Sequence, residues 1–381
     1  MKKKKILNVV SVYLTIPFIF RNQLLYFADK YDITLASSPS EELPEFAQKN
    51  KAKYQFFNIF RSISPLQDVK TIIDISAFIK KENFDVVVGH TPKGALLSMI
   101  AAFLAGTKKR VYFRHGLVYE TSSGLKKQLM LNMERLTSWC ATHVICVSPY
   151  LIEKSIEDNL SSAKKMQLLN IGSCNGVDCF GIFNPEKIIP ETKKRIQYEM
   201  KVNDNEFVIG YAGRMVNDKG IPEIMTAFKK LTSKYDNIKL ILVGPFDNRD
   251  ELDDSIKKEI LCNPKISYRE YVEDGLQYYF SLMDVFVMPT HREGLGNSIL
   301  EASSMGIPVL ASSHTGSKDA LRDNITGFYI LPNEKSIIEK LEKIIVNKAL
   351  KDELGKNGRR FVVDNFSQEV IWKEIELKVF N

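Results

Sequence analysis

The sequence predicts an α/β protein built from two successive Rossmann-like domains. Its 381 residues exceed the usual size of a single domain. Strand-like apolar runs alternate with helix-length segments through both halves, a pattern typical of parallel sheets covered by helices. A polar stretch with glycine and proline at residues 172–194 separates the two series. We therefore place the domain boundary there.

The first half begins with a run that reads as a buried parallel strand. The lysines at residues 2–5 and the apolar run after them also imitate an export signal. Pro17 interrupts that run, and Arg21-Asn22-Gln23 follows without a small-residue cleavage site, which favours the strand. The predicted strands are Ile6–Val12, Ile33–Ser37, Lys53–Phe57, Val86–Gly89, Arg110–Phe113 and Val144–Val147, with helices at Lys70–Lys81 and Lys126–Cys140.

The second half repeats the pattern and closes with helix-forming segments. Its predicted strands are Phe207–Tyr211, Lys239–Val243, Ile266–Tyr268, Val285–Met288, Val309–Ala311 and Gly327–Ile330, followed by helices at Ser336–Val346, Lys348–Arg360 and Val370–Val379. We expect an N-terminal domain at residues 1–180 and a C-terminal domain at 181–360. Residues 361–381 are expected to form a last helix. This helix either crosses back onto the first domain or packs only on the second domain, to which it is attached.

Composition places the chain among ordinary globular enzymes, with 44% apolar and 26% charged residues. Five cysteines without C-x-x-C spacing indicate reduced thiols rather than a disulfide framework or a zinc site. Residues 1–180 carry a net charge of +9 and residues 181–381 a net charge of −2. A basic first half favours an anionic partner such as a phospholipid surface, although a solvated basic face would give the same count.

One motif in the second half points to a nucleotide. His291-Arg292-Glu293-Gly294-Leu295-Gly296-Asn297-Ser298-Ile299-Leu300-Glu301-Ala302 follows a predicted strand. Its glycines allow close approach to a ligand. Asn297 and Ser298 are typical N-cap residues, so a helix should start there and offer free N–H groups to a phosphate. Glu301, about one turn into that helix, is placed to accept hydrogen bonds from a ribose.

A second motif supplies positive charge. Gly210-Tyr211-Ala212-Gly213-Arg214-Met215-Val216-Asn217-Asp218-Lys219-Gly220 also follows a predicted strand. Cations that touch a departing diphosphate lower the barrier to breaking its bond to a sugar. Pro222 suits an early position of the helix that begins just after this turn.

The two motifs together resemble those of a known family. Glu293 and Glu301 match the E-x7-E signature of retaining glycosyltransferases of family 4, which have the GT-B fold of two Rossmann-like domains facing across a cleft. The turn around Arg214 and Lys219 resembles that family's G-x-x-G-R-x-x-x-x-K-G sequence. The resemblance implies that Arg214 and Lys219 neutralise the donor diphosphate, Glu293 lies near the donor sugar and Glu301 contacts the ribose. Backbone around Gly213 and through Gly294, Leu295, Gly296 and Asn297 is expected to help bind the donor.

The resemblance also implies a histidine of the first domain beside the donor sugar. His115 is our first candidate and His90 the second, since each follows a predicted strand. The strings around them are similar to those of bacterial transferases that build surface polysaccharides. His90, Lys93, Arg114 and Tyr119 are accordingly candidates for binding a lipid-diphosphate acceptor. The loop Ser173–Asp178 resembles the family's hinge before the second domain, and its Asn175 is expected to line the cleft.

One region departs from the family pattern. Tyr13–Arg21 contains no glycine where many members have a Gly-Gly loop, so donor phosphate contact is not expected there. Pro17, Phe18 and Phe20 either meet an acceptor or pack in the core. We expect no metal, because no D-x-D follows a strand and no histidines have ligand spacing. We expect no cofactor and no nucleic acid, since nothing resembles a nucleic-acid motif.

These observations predict a retaining, metal-independent glycosyltransferase. It would move a hexose or N-acetylhexosamine from a nucleoside-diphosphate sugar to a lipid-linked glycan in the biosynthesis of bacterial surface polysaccharide. The expected donor is a UDP-linked sugar. We expect it in the cytoplasm, peripheral on the inner face of an anionic membrane. The alternatives are a nucleotide-sugar 2-epimerase of the same fold and a non-catalytic nucleotide-binding partner in a membrane glycan-assembly complex.

Overall fold

A computed structural model describes residues 3–60, 62–272 and 274–381. The chain divides into two compact units, the first formed by Met1–Gly176 with Glu369–Asn381 and the second by Val177–Gln368. Each unit contains one parallel sheet covered by helices. The predicted α/β class with two Rossmann-like domains is confirmed.

The sheet of the first unit has, within the described residues, seven parallel strands in the order β3-β2-β1-β4-β5-β6-β7. The strands are β1 Lys4–Val9, β2 Tyr31–Ser37, β3 Lys53–Phe56, β4 Val86–Gly89, β5 Lys109–Arg114, β6 His143–Cys146 and β7 Met166–Gln167. The helices are α1 Ile16–Phe20, α2 Gln23–Phe27, α3 Glu42–Lys49, α4 Pro65–Glu82, α5 Pro92–Leu104, α6 Gly124–Cys140 and α7 Pro149–Glu157.

The sheet of the second unit has six parallel strands in its described part, in the order β10-β9-β8-β11-β12-β13. They are β8 Phe207–Ala212, β9 Ile238–Val243, β10 Ile266–Arg269, β11 Val285–Met288, β12 Val309–Ser312 and β13 Gly327–Ile330. The helices are α8 Pro190–Glu199, α9 Ile221–Thr232, α10 Asp254–Cys262, α11 Leu276–Phe280, α12 Asn297–Ser304, α13 Glu334–Ile345 and α14 Lys348–Phe366.

The C-terminal segment belongs to the first unit. Helix α15, Gln368–Ile375, continues as a π-helix over Glu376–Phe380. Ile371, Trp372 and Phe380 lie in the same apolar core as strand β1. Of the two predicted placements, the return to the first unit is therefore the one observed.

Asn175 anchors this segment. Its Oδ1 accepts hydrogen bonds from Trp372 Nε1 at 2.7 Å and from Gln23 Nε2 at 2.9 Å, and its Nδ2 donates to the Phe20 carbonyl at 3.0 Å. Asn175 is 3% exposed. The expectation that it lines a cleft is wrong, because all of these polar atoms are bonded inside the first unit.

The loop after β1, which departs from the family pattern, has one aromatic ring in the core and one on the surface. Phe20 is 1% exposed and packs in the core, whereas Phe18 is 64% exposed. Core packing is therefore observed for Phe20, whereas a contact of Phe18 with an acceptor stays a prediction. No helix in the described ranges is long and apolar enough to cross a bilayer.

In each sheet the strand order reverses at one pair of neighbours, β1 with β4 and β8 with β11. Ligands of open α/β sheets bind at the carboxyl ends of strands where this reversal occurs. The two nucleotide-binding motifs follow β8 and β11, so the topology brings them together at the reversal point of the second sheet.

Candidate active site

The reversal point of the second sheet joins the two sequence motifs. The turn after β8 contains Gly213, Arg214 and Lys219, and the turn after β11 contains Glu293 and Gly294. Since β8 and β11 are hydrogen-bonded neighbours, these turns leave the sheet side by side.

The central contact of the site is an ion pair between the two turns. Lys219 Nζ lies 2.9 Å from Glu293 Oε2 and donates to the Arg292 carbonyl at 2.9 Å. The side chains are 13% and 22% exposed, so the pair is shielded but reachable. Two motifs about eighty residues apart in sequence thus form one site.

The backbone fastens the turns together as well. The Asp218 carbonyl accepts the His291 N–H at 2.8 Å and the Thr290 hydroxyl at 3.0 Å. Gly220 follows with φ +75°, and a Cβ on it would lie 2.2 Å from the Pro289 carbonyl oxygen. Only glycine fits there, because that oxygen is backbone and the conformation is left-handed. Pro222 occupies the predicted early position in α9.

Arg214 faces a carboxylate that the sequence did not single out. Its Nη1 lies 3.0 Å from Asp247 Oδ2, and Arg249 Nε is 2.9 Å from Asp247 Oδ1. The bonds from Arg249 and then from Arg214 hold the pKa of Asp247 well below its ordinary value. Asp247 is therefore ionised at neutral pH and orients Arg214, whose side chain remains 36% exposed. The sequence signal that could have identified Asp247 is its position in the loop after strand β9.

Gly213 lies directly after β8. A Cβ there would meet the Tyr211 hydroxyl at 2.7 Å, and that hydroxyl donates to the Arg214 carbonyl at 2.8 Å. Burial raises the pKa of Tyr211, so it stays a hydrogen-bond donor. Gly213 thus gives the turn the space that this bond requires.

Helix α12 begins differently from the prediction. Gly296, with φ +89°, is its N-cap, and Asn297 is its first residue. The N-cap assignment to Asn297 and Ser298 is therefore wrong; the left-handed entry requires glycine, and no side chain caps the helix. The first-turn N–H groups remain directed at the turn that holds Glu293.

The remaining residues of this motif lie within the second unit as follows. Leu295 is 3% exposed, so it offers backbone rather than side chain. The Gly294 N–H donates to Glu293 Oε1 at 3.0 Å, which fixes that carboxylate. Glu301 is 3% exposed in the second turn of α12. Its ribose contact stays a prediction.

A second ion pair, which sequence reasoning missed, supports the first. Arg292 Nη2 lies 2.9 Å from Asp218 Oδ2. Asp250 holds the backbone of the turn that contains Asp218, since it accepts the Asp218 N–H at 2.6 Å. Each member neighbours a residue of the Lys219–Glu293 pair. Alternating charges at 218–219 and 292–293 were the readable signal.

In the first unit the two candidate histidines form a chain. His90 Nδ1 lies 3.1 Å from His115 Nε2, and His90 Nε2 lies 3.1 Å from Asn8 Oδ1. Because Oδ1 only accepts, His90 Nε2 carries the proton and its Nδ1 accepts from His115 Nε2–H. Nδ1 of His115 is left as a hydrogen-bond acceptor.

Both imidazoles are neutral at physiological pH. Burial lowers the pKa of His115 to about 4. Burial, and then the neighbouring His115, lowers the pKa of His90 well below its ordinary value. His115 is partly exposed and His90 only 3% exposed, so His115 is the one that can contact a ligand.

Three residues predicted to bind an acceptor have internal roles instead. Arg114 has no exposed surface and bonds Glu134 Oε2 at 3.3 Å, Ser138 at 2.6 Å and Ser155 at 2.7 Å. The Tyr119 hydroxyl donates to Asp158 at 2.6 Å, and Lys93 pairs with Asp68. These assignments are corrected, because the Tyr119 hydroxyl, the Lys93 ammonium and both terminal nitrogens of Arg114 are already bonded within the first unit.

The role of Arg114 was mispredicted because β5 extends one residue further than predicted at its C-terminal end, to Arg114. Side chains alternate along a strand, so Tyr112 and Arg114 share the face that meets α6. The rings of Phe113 and His115 stack on the opposite face, 5.7 Å apart.

Two parallel α/β units with cationic turns at a sheet reversal point define a protein of the GT-B glycosyltransferase class. The family model "Glycosyl transferases group 1" matches residues 192–361, and "Glycosyl transferase 4-like" matches residues 7–148. The chain belongs to glycosyltransferase family 4 and is an enzyme of that kind.

Similar proteins support this assignment. The capsular polysaccharide biosynthesis glycosyltransferase CapM of Staphylococcus aureus is 35% identical over 378 residues, covering 99% of this chain and 97% of CapM. An Escherichia coli UDP-Gal:alpha-D-GlcNAc-diphosphoundecaprenol alpha-1,3-galactosyltransferase is 27% identical, covering 89% of this chain and 86% of that enzyme. The structure of Anabaena HepE in complex with UDP and glucose has a TM-score of 0.81 at 17% identity, covering 99% of each chain. The protein is therefore a GT-B glycosyltransferase of the kind used in bacterial capsule and lipopolysaccharide synthesis.

Proposed function

We propose that the protein is a retaining, metal-independent transferase that moves a hexose or N-acetylhexosamine from a UDP-sugar to a lipid-diphosphate-linked glycan. The observation that carries this proposal is the Lys219–Glu293 contact of 2.9 Å at the sheet reversal point. This contact places a cation that can bind a diphosphate next to a carboxylate that can bind a sugar hydroxyl. The names of the relatives support a UDP-linked donor and a diphosphoundecaprenol-linked acceptor.

The cations act on the leaving group. As the bond between the sugar C1 and the diphosphate oxygen breaks, negative charge builds on the diphosphate. Lys219 and Arg214 stabilise that charge more in the transition state than in the ground state, which accelerates the reaction. The first-turn N–H groups of α12 add a positive helix end. These groups supply the positive charge that a divalent cation supplies in other transferases, so we propose that none is required.

Glu293 orients the sugar rather than attacking it. Its Oε2 pairs with Lys219 and its Oε1 accepts the Gly294 N–H, so both oxygens are held in place. The acceptor hydroxyl then attacks C1 from the face that the diphosphate leaves. Its proton passes to the departing phosphate oxygen, the new C1–O bond forms on the same face, and the configuration is retained.

His115 is the proposed sugar-binding residue of the first unit. Its neutral Nδ1 accepts a hydrogen bond from a donor-sugar hydroxyl, because Nε2–H is used by His90. The enzyme acts at the cytoplasmic face of the membrane, where a lipid-linked glycan presents its sugar.

The test is an incubation of the purified protein with UDP-glucose, UDP-galactose and UDP-N-acetylglucosamine, each with a diphosphoundecaprenol-linked sugar and with chelator present. We expect extension of the lipid-linked sugar from one donor, with the donor anomer retained in the product by NMR. Glu293→Gln should abolish it, whereas Lys335→Gln on exposed α13 should not. An epimerised donor formed without acceptor, or UDP binding without turnover, would contradict the proposal and favour the epimerase or the non-catalytic partner.

A further inference from the structure

Three polar side chains of the first unit form a hydrogen-bonded row across neighbouring strands. Asn8 lies in β1, His90 directly follows β4 and His115 directly follows β5. Strand β4 pairs with β1 on one side and with β5 on the other. The row therefore stands at the reversal point of the first sheet, where ligands of open α/β sheets bind.

The imidazole of His90 is held in one orientation. It stacks on Phe113 with ring centroids 5.0 Å apart, and Phe20 meets it edge-on at 5.3 Å. His90 Nε2 lies 3.1 Å from Asn8 Oδ1, and His90 Nδ1 lies 3.1 Å from His115 Nε2. Because His90 is 3% exposed, these two side chains, rather than bulk water, bond both of its nitrogens.

Two neutral imidazoles joined by one hydrogen bond have two proton arrangements. In the acceptor arrangement both rings are protonated at Nε2, so His115 donates to His90 and its own Nδ1 is left as an acceptor. In the donor arrangement both rings are protonated at Nδ1, so His90 donates to His115 and the Nδ1–H of His115 is left as a donor. The atom that His115 offers to a ligand thus depends on the proton of His90.

Asn8 selects between these arrangements. Its Oδ1 accepts a hydrogen bond and cannot donate one, so it bonds His90 only in the acceptor arrangement. In the donor arrangement the bare Nε2 of His90 would face this oxygen, with no proton between two acceptors. Asn8 is 3% exposed, and a buried polar group without its hydrogen bond disfavours that arrangement by roughly tenfold or more.

We propose that Asn8 is a positioning residue that acts through His90 to keep His115 Nδ1 free of a proton, so that the first unit selects a donor sugar by a hydroxyl that donates a hydrogen bond. Asn8 itself does not touch the sugar. The sugar contact of His115 rests on the proposed function, whereas the proton arrangement stands without it. A substituent that accepts but cannot donate, such as fluorine, is rejected at the sugar position that His115 contacts.

The first test is NMR of the full chain labelled with ¹⁵N-histidine at pH 7, where the nitrogen shifts of each ring show which atom is protonated. The chain has five histidines, and the signals of His90 and His115 are assigned from their absence in His90→Gln and His115→Gln. We expect both rings to be protonated at Nε2 in the wild type. Protonation of His115 at Nδ1 would overturn the inference without any further variant.

Two variants of Asn8 separate its acceptor from its packing. Asn8→Asp keeps an oxygen acceptor and should preserve the acceptor arrangement. Asn8→Leu has a similar volume but no acceptor, so the donor arrangement should become populated in both rings. Asn50→Leu is the matched control, because Asn50 is also buried in the first unit and bonds the Phe46 carbonyl outside the row. It should leave both rings unchanged.

Calorimetric titration tests the sugar selection. The probes are UDP-glucose and UDP-galactose in which the hydroxyl at C3, C4 or C6 is replaced by fluorine, which only accepts, or by an amino group, which is protonated and only donates. At one of these positions the wild type should bind the amino analogue roughly tenfold more tightly than the fluoro analogue. Asn8→Leu should narrow that ratio to about twofold, whereas Asn8→Asp and Asn50→Leu should keep it.

Three results with folded variants would overturn the inference: unchanged proton positions in Asn8→Leu, the same change in Asn50→Leu, or equal amino-to-fluoro ratios in the wild type and Asn8→Leu at all three positions. Failure of the proposed function is separate. It would appear as absent sugar transfer in a protein whose His90 and His115 are still protonated at Nε2 under the control of Asn8.

Discussion

Each cation of the second unit's site is paired with a carboxylate: Lys219 with Glu293, Arg292 with Asp218, and Arg214 with Asp247, which Arg249 also bonds. Such pairing holds long, flexible side chains in one orientation. A diphosphate can then bind to groups that are already positioned, so less side-chain entropy is lost. The sequence predicted Arg214, Lys219 and Glu293 as site residues. It did not predict Arg292 or the carboxylates Asp247 and Asp218, since pairing depends on how loops fold after different strands.

A pH dependence follows from the buried histidines. Because the pKa of His115 is about 4 in the folded protein and near 6.5 when unfolded, the unfolded chain binds more protons between these values. The free energy of unfolding should therefore fall as pH drops from 6.5 towards 4. By pH 5 the contribution of His115 to this fall is about 2 kcal/mol at most.

Urea unfolding at pH 7 and pH 5 checks this effect. We expect His115→Gln to show a smaller drop between the two pH values than the wild type, because glutamine does not titrate. Equal drops in both proteins would show that His115 is not the group responsible.

Among the elements, the strands were the most predictable. Val86–Gly89, Val285–Met288 and Gly327–Ile330 were predicted with the observed bounds, since strands buried on both faces are uninterrupted apolar runs. Strand β7 was missed because it has only the two residues Met166 and Gln167. The α12 N-cap was misassigned because a preference for asparagine and serine competes with glycine's access to left-handed conformations.

The turn after β8 depends on a glycine at its end. Gly220→Ala should lower kcat/KM by at least tenfold, because its Cβ would meet the Pro289 carbonyl at 2.2 Å and displace Lys219 from Glu293. Gly306→Ala is the matched control, with φ +78° and no heavy atom within 4 Å of the added Cβ. The Gly306→Ala variant introduces the same left-handed backbone strain without a steric clash, so it should keep full activity in the transfer assay. Equal activities of the two variants would contradict this role for Gly220.

The Arg114–Glu134 pair fixes α6 to β5. Glu134→Gln should lower the free energy of unfolding by about 3–5 kcal/mol, because it leaves a fully buried guanidinium without its counter-charge. Replacing both residues, with Arg114→Met and Glu134→Leu, should restore much of the loss. Denaturant unfolding measures both effects. If the double variant instead raised KM for the lipid-linked acceptor while remaining stable, Arg114 would have a role in acceptor binding rather than an internal one.

At the scale of the whole molecule, the C-terminal segment packs into the core of the first unit. Ile371, Trp372, Ile375, Val379 and Phe380 lie in the core that β1 begins. Periodicity predicted this helix but left its destination open, because an amphipathic pattern says that a face is buried and not which core buries it.

The two tryptophans of the chain offer a direct comparison. Trp372→Ala should lower the free energy of unfolding by about 3–5 kcal/mol, since the ring is 8% exposed and its Nε1 bonds Asn175. Trp139→Ala, at 63% exposure, should cost well under about 1 kcal/mol. Urea unfolding followed by circular dichroism gives both values, and similar losses would show that the C-terminal segment is not part of the first core.

The central claim is that protein cations at the reversal point of the second sheet bind a nucleoside diphosphate without a metal. Calorimetric titration of UDP into the protein, with EDTA present, tests it most directly. We predict that EDTA leaves the affinity unchanged and that Lys219→Gln weakens it by about 10- to 100-fold, the loss of one charge-assisted hydrogen bond to phosphate. Binding that disappears in EDTA, or that Lys219→Gln leaves intact, would contradict the account.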